Sequence, residues 1–429
     1  MLAVWTLLMG LALAQEGVPP EDPVADAPEL PDDGAKEPSW KRTGFGFGGI
    51  PAVNYNTDEG LGLGVVGSMY RYNGKTSPYK VGVTLIIFAT TRGVHGHRLD
   101  IDALKLLNGR LRFTTRLNLD ITKTNNFCGF GPDVTCDPAV AEARADALGL
   151  DGEARETFVR RYYLSSYIRP NLFLNGRWKL NPNAEGRLKT ELMTTARVIY
   201  HLPGDFKNGV DSDPGNLISS RLDQEQGFLP VLQVGVMADT RDFESAPTTG
   251  YWVEGSVRGS TRYIGSDFDY FGFNTTARGY IPLVSEGRLV SATRLAFDGI
   301  VGDVPIREMA EMGGSQIYNF GGGLNSGRGV RQRRYLGRVK TLFQEELRWR
   351  FLHIEPFGVG VDLTLLGFTD WMLVATDWSS LDELGKPIPD FGGGLRLAFD
   401  DNFIIRVDSG FSAVEGYSPS IYIDLANLF

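Results

Sequence analysis

From Thr43 to the end of the chain, apolar and polar residues alternate with a period of two. Between Tyr270 and Tyr280, one parity reads Phe271, Phe273, Thr275 and Ala277, and the other Gly272, Asn274, Thr276 and Arg278. Between Arg338 and Phe351, Val339, Thr341, Phe343, Leu347, Trp349 and Phe351 share a parity that only Glu345 interrupts. Lys340, Gln344, Glu346, Arg348 and Arg350 hold the other. Successive side chains of a β-strand point to opposite faces, so each segment makes a strand with one apolar and one polar side. Such segments fall near 44–54, 60–72, 79–91, 95–106, 109–121, 159–173, 187–201, 228–240, 250–263, 268–281, 288–301, 336–351, 357–367, 391–399, 402–412 and 419–429. They are even in number and many are ten residues or longer. A soluble sandwich would not expose so many aromatics; a transmembrane antiparallel β-barrel of about sixteen strands, lipid outside and a polar lumen inside, explains them.

The connections alternate short and long. Residues 54–59, 108–109, 285–287, 353–356 and 400–402 are short; residues 122–158, 202–227, 302–335 and 368–390 are long. With the N-terminus in the periplasm, most long loops fall on the outer surface. In the first long loop, Asp137 and Pro138 start a helix that runs to Leu148 and closes at Gly149. Cys128 and Cys136, the only cysteines, share that loop, and a disulfide between them is expected in an oxidising compartment.

The N-terminal residues break the pattern. Leu2 to Ala14 is apolar apart from one Thr and one Gly, which predicts a secretory signal over 1–14. Residues 15–42 carry eight acidic side chains against Lys36, Lys41 and Arg42, with six prolines, and read as a disordered acidic periplasmic linker. The barrel then occupies 43–429.

Composition narrows the class. Glycine supplies 53 of 429 residues, aromatics 11% and charged residues 22%, which excludes wholesale disorder. No run approaches the roughly 18 apolar residues of a membrane-spanning helix. A net charge of −9 argues against a nucleic-acid partner. Gly62-Leu63-Gly64-Val65-Val66-Gly67 fits a dinucleotide fingerprint, but it lies inside a strand with no helix after it, so its glycines read as small lumen-facing residues. His95 and His97 share a strand face without a third metal ligand, and no histidine has a serine within three positions. No cofactor, metal or enzymatic activity is expected.

The densest constellation runs from Gly321 to Phe351: a glycine-rich loop with Arg328-Gly329, then Glu346-Leu347-Arg348 on one strand and Asp362 on the next. Upstream stand Phe127-Cys128-Gly129-Phe130-Gly131, and Asp239-Thr240-Arg241-Asp242 followed by Pro247 and Gly250. In these motifs the chain resembles the bacterial surface antigen family, the superfamily of BamA/TamA-like outer-membrane assembly barrels and two-partner secretion translocases. Val330 stands where that family carries an aromatic. The resemblance implies a sixteen-stranded barrel in the outer membrane, acting in insertion, assembly or translocation of protein or lipid. The alternative is a passive pore or structural barrel. The family's periplasmic modules, each of roughly 75 residues on the scale of a small domain, do not fit in a 28-residue linker. Partners implied are outer-membrane lipids, and unfolded outer-membrane protein clients or a periplasmic or lipoprotein partner.

Two positional expectations follow. Arg328 folds into the lumen between Glu346 and Asp362, which a hairpin centred near Ile354 sets directly opposite each other. Ile421, Ile423, Leu425 and Phe429 share one parity of the last strand and form an assembly signal, with Phe429 anchored at the membrane rim.

Overall fold

The computed structural model describes residues 43–76, 79–181, 188–203, 226–244, 246–284, 287–355, 360–399, 403–425 and 428–429. The expected signal and linker lie outside them. Eighteen strands follow in order: β1 (Thr43–Asn56), β2 (Gly60–Asn73), β3 (Val81–Thr90), β4 (His95–Lys105), β5 (Leu111–Asn126), β6 (Leu164–Lys179), β7 (Lys189–Pro203), β8 (Gly227–Asp239), β9 (Gly250–Ser260), β10 (Tyr270–Pro282), β11 (Leu289–Gly302), β12 (Glu311–Met312), β13 (Tyr318–Asn319), β14 (Val339–Ile354), β15 (Val361–Ala375), β16 (Ile388–Phe399), β17 (Phe403–Phe411) and β18 (Ser420–Leu425). All but β12 and β13 join a closed sixteen-stranded antiparallel barrel in which each strand pairs with its chain neighbour and β18 returns to β1. β12 and β13 form a small hairpin within the connection from β11 to β14.

The burial is inverted relative to a soluble protein. Phe47, Leu63, Val65, Leu232, Phe271, Leu295 and Trp349 are exposed on the outer wall, whereas Arg258, Arg294, Asp298, Lys340, Glu346 and Asp370 are buried. A membrane supplies the apolar solvent that the outer parity requires. Glu345, the exception on the outer face of β14, accepts hydrogen bonds from Ser291 Oγ at 2.5 Å and from Thr293 Oγ1, both on β11. Two hydroxyls thus satisfy the one carboxylate on that face.

The helix Pro138–Ala147 starts as expected, with Asp137 accepting from Ala139 N at 2.9 Å. A second helix, Gly152–Arg161, replaces the expected start of a strand near 159. The two helices bury Ala141, Ala145, Phe158 and Tyr162 between them. The β14–β15 hairpin differs more. Glu346 faces Phe368, which centres the hairpin near 357 rather than 354, and a bulge between Arg350 and Leu352 shifts the register by one. β15 therefore continues to Ala375, into what the alternation left as loop.

The long connection between β11 and β14 lies against inward-facing residues of the wall. Its Met312, Phe320, Val330 and Tyr335 pack with Ala296, Leu342, Met372, Val374 and Ile388. Its Val304, Met309, Ala310 and Leu336 pack with Ile199, Leu229, Val231 and Ile300. Val330, small where an aromatic was expected, is fully buried.

Candidate functional site

Arg328 is carried into the lumen by this loop and has no exposed surface. Its Nε and Nη2 each donate to an oxygen of Asp370 at 2.9 Å, its Nη1 donates to Glu346 at 2.6 Å and approaches Asp408 at 3.4 Å, and its backbone N donates to Asp370 at 3.2 Å. The guanidinium lies 3.5 Å from the centre of the Phe368 ring. One planar fork thus serves carboxylates on β14, β15 and β17, which a lysine could not do. Arg348 adds a 2.8 Å bond to Glu346, and Arg396 a 2.5 Å bond to Asp408, so the carboxylates are matched by cations of the wall. Gly329 follows because the loop backbone touches β17: a Cβ there would lie 2.5 Å from the Phe411 carbonyl carbon. A Cβ on Gly410 would lie 2.4 Å from Arg328 backbone.

The structure brings Arg328, Gly329 and Glu346 together but not Asp362. Asp362 faces His353 and accepts from its Nδ1 at 2.7 Å, with Arg350 at 3.7 Å. The parity assigned to Asp362 is correct. The hairpin centres three residues beyond Ile354, so Asp370, further along the same face, takes the place expected for Asp362. Asp408, on a strand two places away, had no local signal.

The segment after the clasp reaches both sides of the β1–β18 seam. Arg331 and Arg334 contact Glu415, in the turn between β17 and β18, at 3.4 and 2.7 Å. The Gln332 backbone N–H bonds Asp58, in the turn between β1 and β2, and Asp58 also accepts from Tyr422 of β18 at 3.1 Å. Arg333 bonds Asn319 at 3.1 Å and Asn125. Arg333 and Arg334 are seated among partners, while Arg331 keeps much of its side chain in solvent.

The seam itself is short. Among the described residues, β1 and β18 share the pairs Tyr55–Ile423 and Asn56–Tyr422, extended by Thr57 N to Ile421 O at 3.1 Å, whereas β1 pairs with β2 from Thr43 to Asn56. Because Thr57 points its N–H at β18, the odd-numbered backbone groups of β1 face the seam. Pro51 is one of them and has no N–H to offer. Among the described residues, the pairing of β1 with β18 is confined to this end of the strand.

Ile421 and Ile423 stand on the outer parity of β18, and Leu425 pairs with Ile405. Phe429 is not at the membrane rim. It is buried inside with Leu428 against Tyr280, Val290 and Ala292, under the guanidinium groups of Arg294 and Arg348 at 5.0 and 5.3 Å. Arg348 also donates to its carbonyl at 3.0 Å. An apolar pocket roofed by two cations holds the ring better than the outer wall does. Cys128 and Cys136 are joined, with their Cα atoms 5.3 Å apart. No group of three or more metal-ligating side chains occurs among the described residues.

Comparison with known proteins places this geometry. Residues 161–400 match the family model described as the Omp85 superfamily domain. The fold is similar to the crystal structure of BamA from Haemophilus ducreyi lacking POTRA domains 1–3, at 14% identity and a TM-score of 0.53, over 90% of this chain and 70% of that one. It is also similar to CdiB from Escherichia coli (12%, TM-score 0.54) and CdiB from Acinetobacter baumannii (12%, TM-score 0.50). Over those two the chain covers 89% and 88% of itself but only 62% and 59% of their length. No curated protein sequence matches. With the match spanning more than half of its residues, a closed sixteen-stranded barrel and a lumenal arginine loop, the chain belongs to the Omp85 superfamily and is an outer-membrane β-barrel.

Proposed function

We propose that this barrel acts in insertion, assembly or translocation at the outer membrane, through the seam between β1 and β18. The observation that carries the reading is the mismatch at that seam: among the described residues, two paired positions hold β18 to β1, where fourteen hold β2 to it. Unpaired strand edges template an incoming strand by β-augmentation, and a β1 edge that parts from so short a seam offers such a template at the lipid boundary. The N-terminus faces the periplasm, the side from which unfolded barrel clients or a partner protein arrive. The protein works without a catalytic centre; its chemistry is backbone hydrogen bonding and displacement of lipid. A passive pore is the weaker reading, because the loop between β11 and β14 packs two apolar clusters inside the lumen.

The test is reconstitution of the purified chain in liposomes, with an unfolded eight-stranded outer-membrane barrel as the probe and its gel mobility without heating as the readout. The proposal requires faster folding of the probe than in protein-free liposomes of the same lipid. Equal rates would remove it.

A further inference from the structure

We propose that the lumenal chamber holds a phosphate-class oxyanion at the point where the β11–β14 loop meets β6. The chamber has a volume of about 790 Å³, with an annex of about 50 Å³, and both are lined by Asn125, Asn126, Tyr167, Arg169, Arg307 and Arg333. Three guanidinium groups thus converge where the two spaces meet. Arg169 comes from the wall, Arg307 and Arg333 from the loop, and each is more than nine-tenths buried.

Their own partners do not balance them. Arg307 bonds Glu311 at 3.2 Å, and its Nη1 is buried without a partner. The Arg169 guanidinium carbon lies 3.9 Å from the centre of the Tyr167 ring, Nε donates to His201 Nδ1 at 3.2 Å, and among the described residues the nearest carboxylate is Glu311 at 3.9 Å. Among the described residues Arg333 bonds only the amide oxygens of Asn319 and Asn125. Behind them Arg197 reaches Glu308 at 3.2 Å and Glu311 at 3.6 Å, Arg258 reaches Asp298 at 2.8 Å and Glu308 at 3.2 Å, and Lys340 reaches Asp298 at 3.1 Å. Among the described residues the ion-paired cluster sets five cations, Arg169, Arg197, Arg258, Arg307 and Lys340, against three carboxylates, Glu308, Glu311 and Asp298, and Arg333 beside it adds a sixth cation bonded to no carboxylate. Asp120 and Glu59 also line the chamber, and counting both still leaves the cations in excess.

A buried charge without a counter-charge is costly, and the cost falls when an anion with several acceptor oxygens supplies the missing partners. Phosphate fits this demand. It carries up to two charges and accepts in the planar, forked geometry that guanidinium groups and amides donate. Bound there, it would tie the loop to β6, so occupancy is read in the loop. The phosphate is either free or carried on a small molecule or lipid headgroup, and the experiment separates these sources.

The full chain, purified in zwitterionic detergent free of phosphate and sulfate, is digested with protease while inorganic phosphate is titrated in at constant ionic strength with chloride. The expected result is saturable protection, with cleavage within 303–338 slowed at least threefold. The response should be lost in Arg169→Gln/Arg333→Gln and kept in Arg262→Gln, a change on an exposed turn. Protection by vesicles containing phosphatidylglycerol, but by neither phosphate nor phosphatidylcholine vesicles, would support the site and assign it to a lipid headgroup. Equal cleavage in phosphate, chloride and both vesicle types, or an undiminished response in the double variant, would overturn it. If the double variant does not fold, the comparison of phosphate with chloride and of the two vesicle types on the unaltered chain decides alone.

Discussion

Arg328 and Asp370 meet as a two-pronged ion pair, with Nε and Nη2 of one each 2.9 Å from an oxygen of the other and neither side chain exposed. The pair joins a loop to the barrel wall across 42 positions of sequence. Removing one partner of a buried pair costs on the order of 3–5 kcal/mol, because the other charge stays behind in a low-dielectric site. Arg328→Ala should therefore release the loop and make it protease-sensitive in intact membranes. Asp362→Asn, at the hairpin end, should leave it resistant. Arg328→Lys should be nearly as damaging as Arg328→Ala, since an ammonium cannot serve Glu346 and Asp370 together in this geometry.

Gly329→Ala should act on the same loop by a different route. The added Cβ would sit 2.5 Å from the backbone of Phe411, which has no flexible end to move aside. The loop must lift from β17, and limited proteolysis of this variant should show faster cleavage with the barrel's heat-modifiable gel mobility retained.

Asp58 gives the seam a dependence on pH. Burial pushes its carboxyl up to about 6, and bonds from the Gln332 backbone and Tyr422 only partly offset this. Glu59 and Arg331 are the charged neighbours. An unfolded aspartate titrates near ~3.9, so between these values the folded state holds a proton that the unfolded chain has released. Stability from this group is fully present below the unfolded value and is lost as the pH rises through 6. Amide exchange at Thr57 and Ile421, corrected for intrinsic rates, should be slower at pH 5 than at pH 7.5, and Asp58→Asn should flatten the difference.

Much of the fold was legible in the sequence because a membrane barrel writes its two environments on alternate residues. Phe271 and Phe273 against Asn274 and Arg278 needed no tertiary information. The clasp was legible in part. Arg328 and Glu346 followed from motif and parity, while Asp362 failed because an arithmetic centre for a hairpin cannot see the bulge at Arg350/Leu352 or the true turn. Asp370 shares the face of Asp362 and would have been reached by extending the alternation through Trp371. Asp408, Glu415 and Asp58 meet the loop only through closure of the barrel, which no local pattern encodes. Phe429 failed for a related reason, since parity gives a side but not the point at which a chain leaves the wall.

Phe429→Ala should lower the folded fraction of the barrel, as it empties the pocket between Tyr280, Val290 and Ala292 and leaves Arg294 and Arg348 without a ring beneath them. Losing a buried phenylalanine costs on the order of 3–5 kcal/mol. Unheated gel mobility of protein extracted from membranes should show less of the compact form, whereas Ile421→Ala, on the outer parity, should change it little.

Tyr55 and Ile423 face each other across the seam between β1 and β18. Cysteines at these two positions, in a Cys128→Ser/Cys136→Ser background so that only the seam bond responds to reductant, allow the closed state to be locked and released. In the liposome assay the oxidised protein should fold the probe barrel no faster than empty liposomes, and the same sample after reduction should regain the rate of the unlocked chain. Equal acceleration by the locked and the reduced forms would contradict a mechanism that works through the seam.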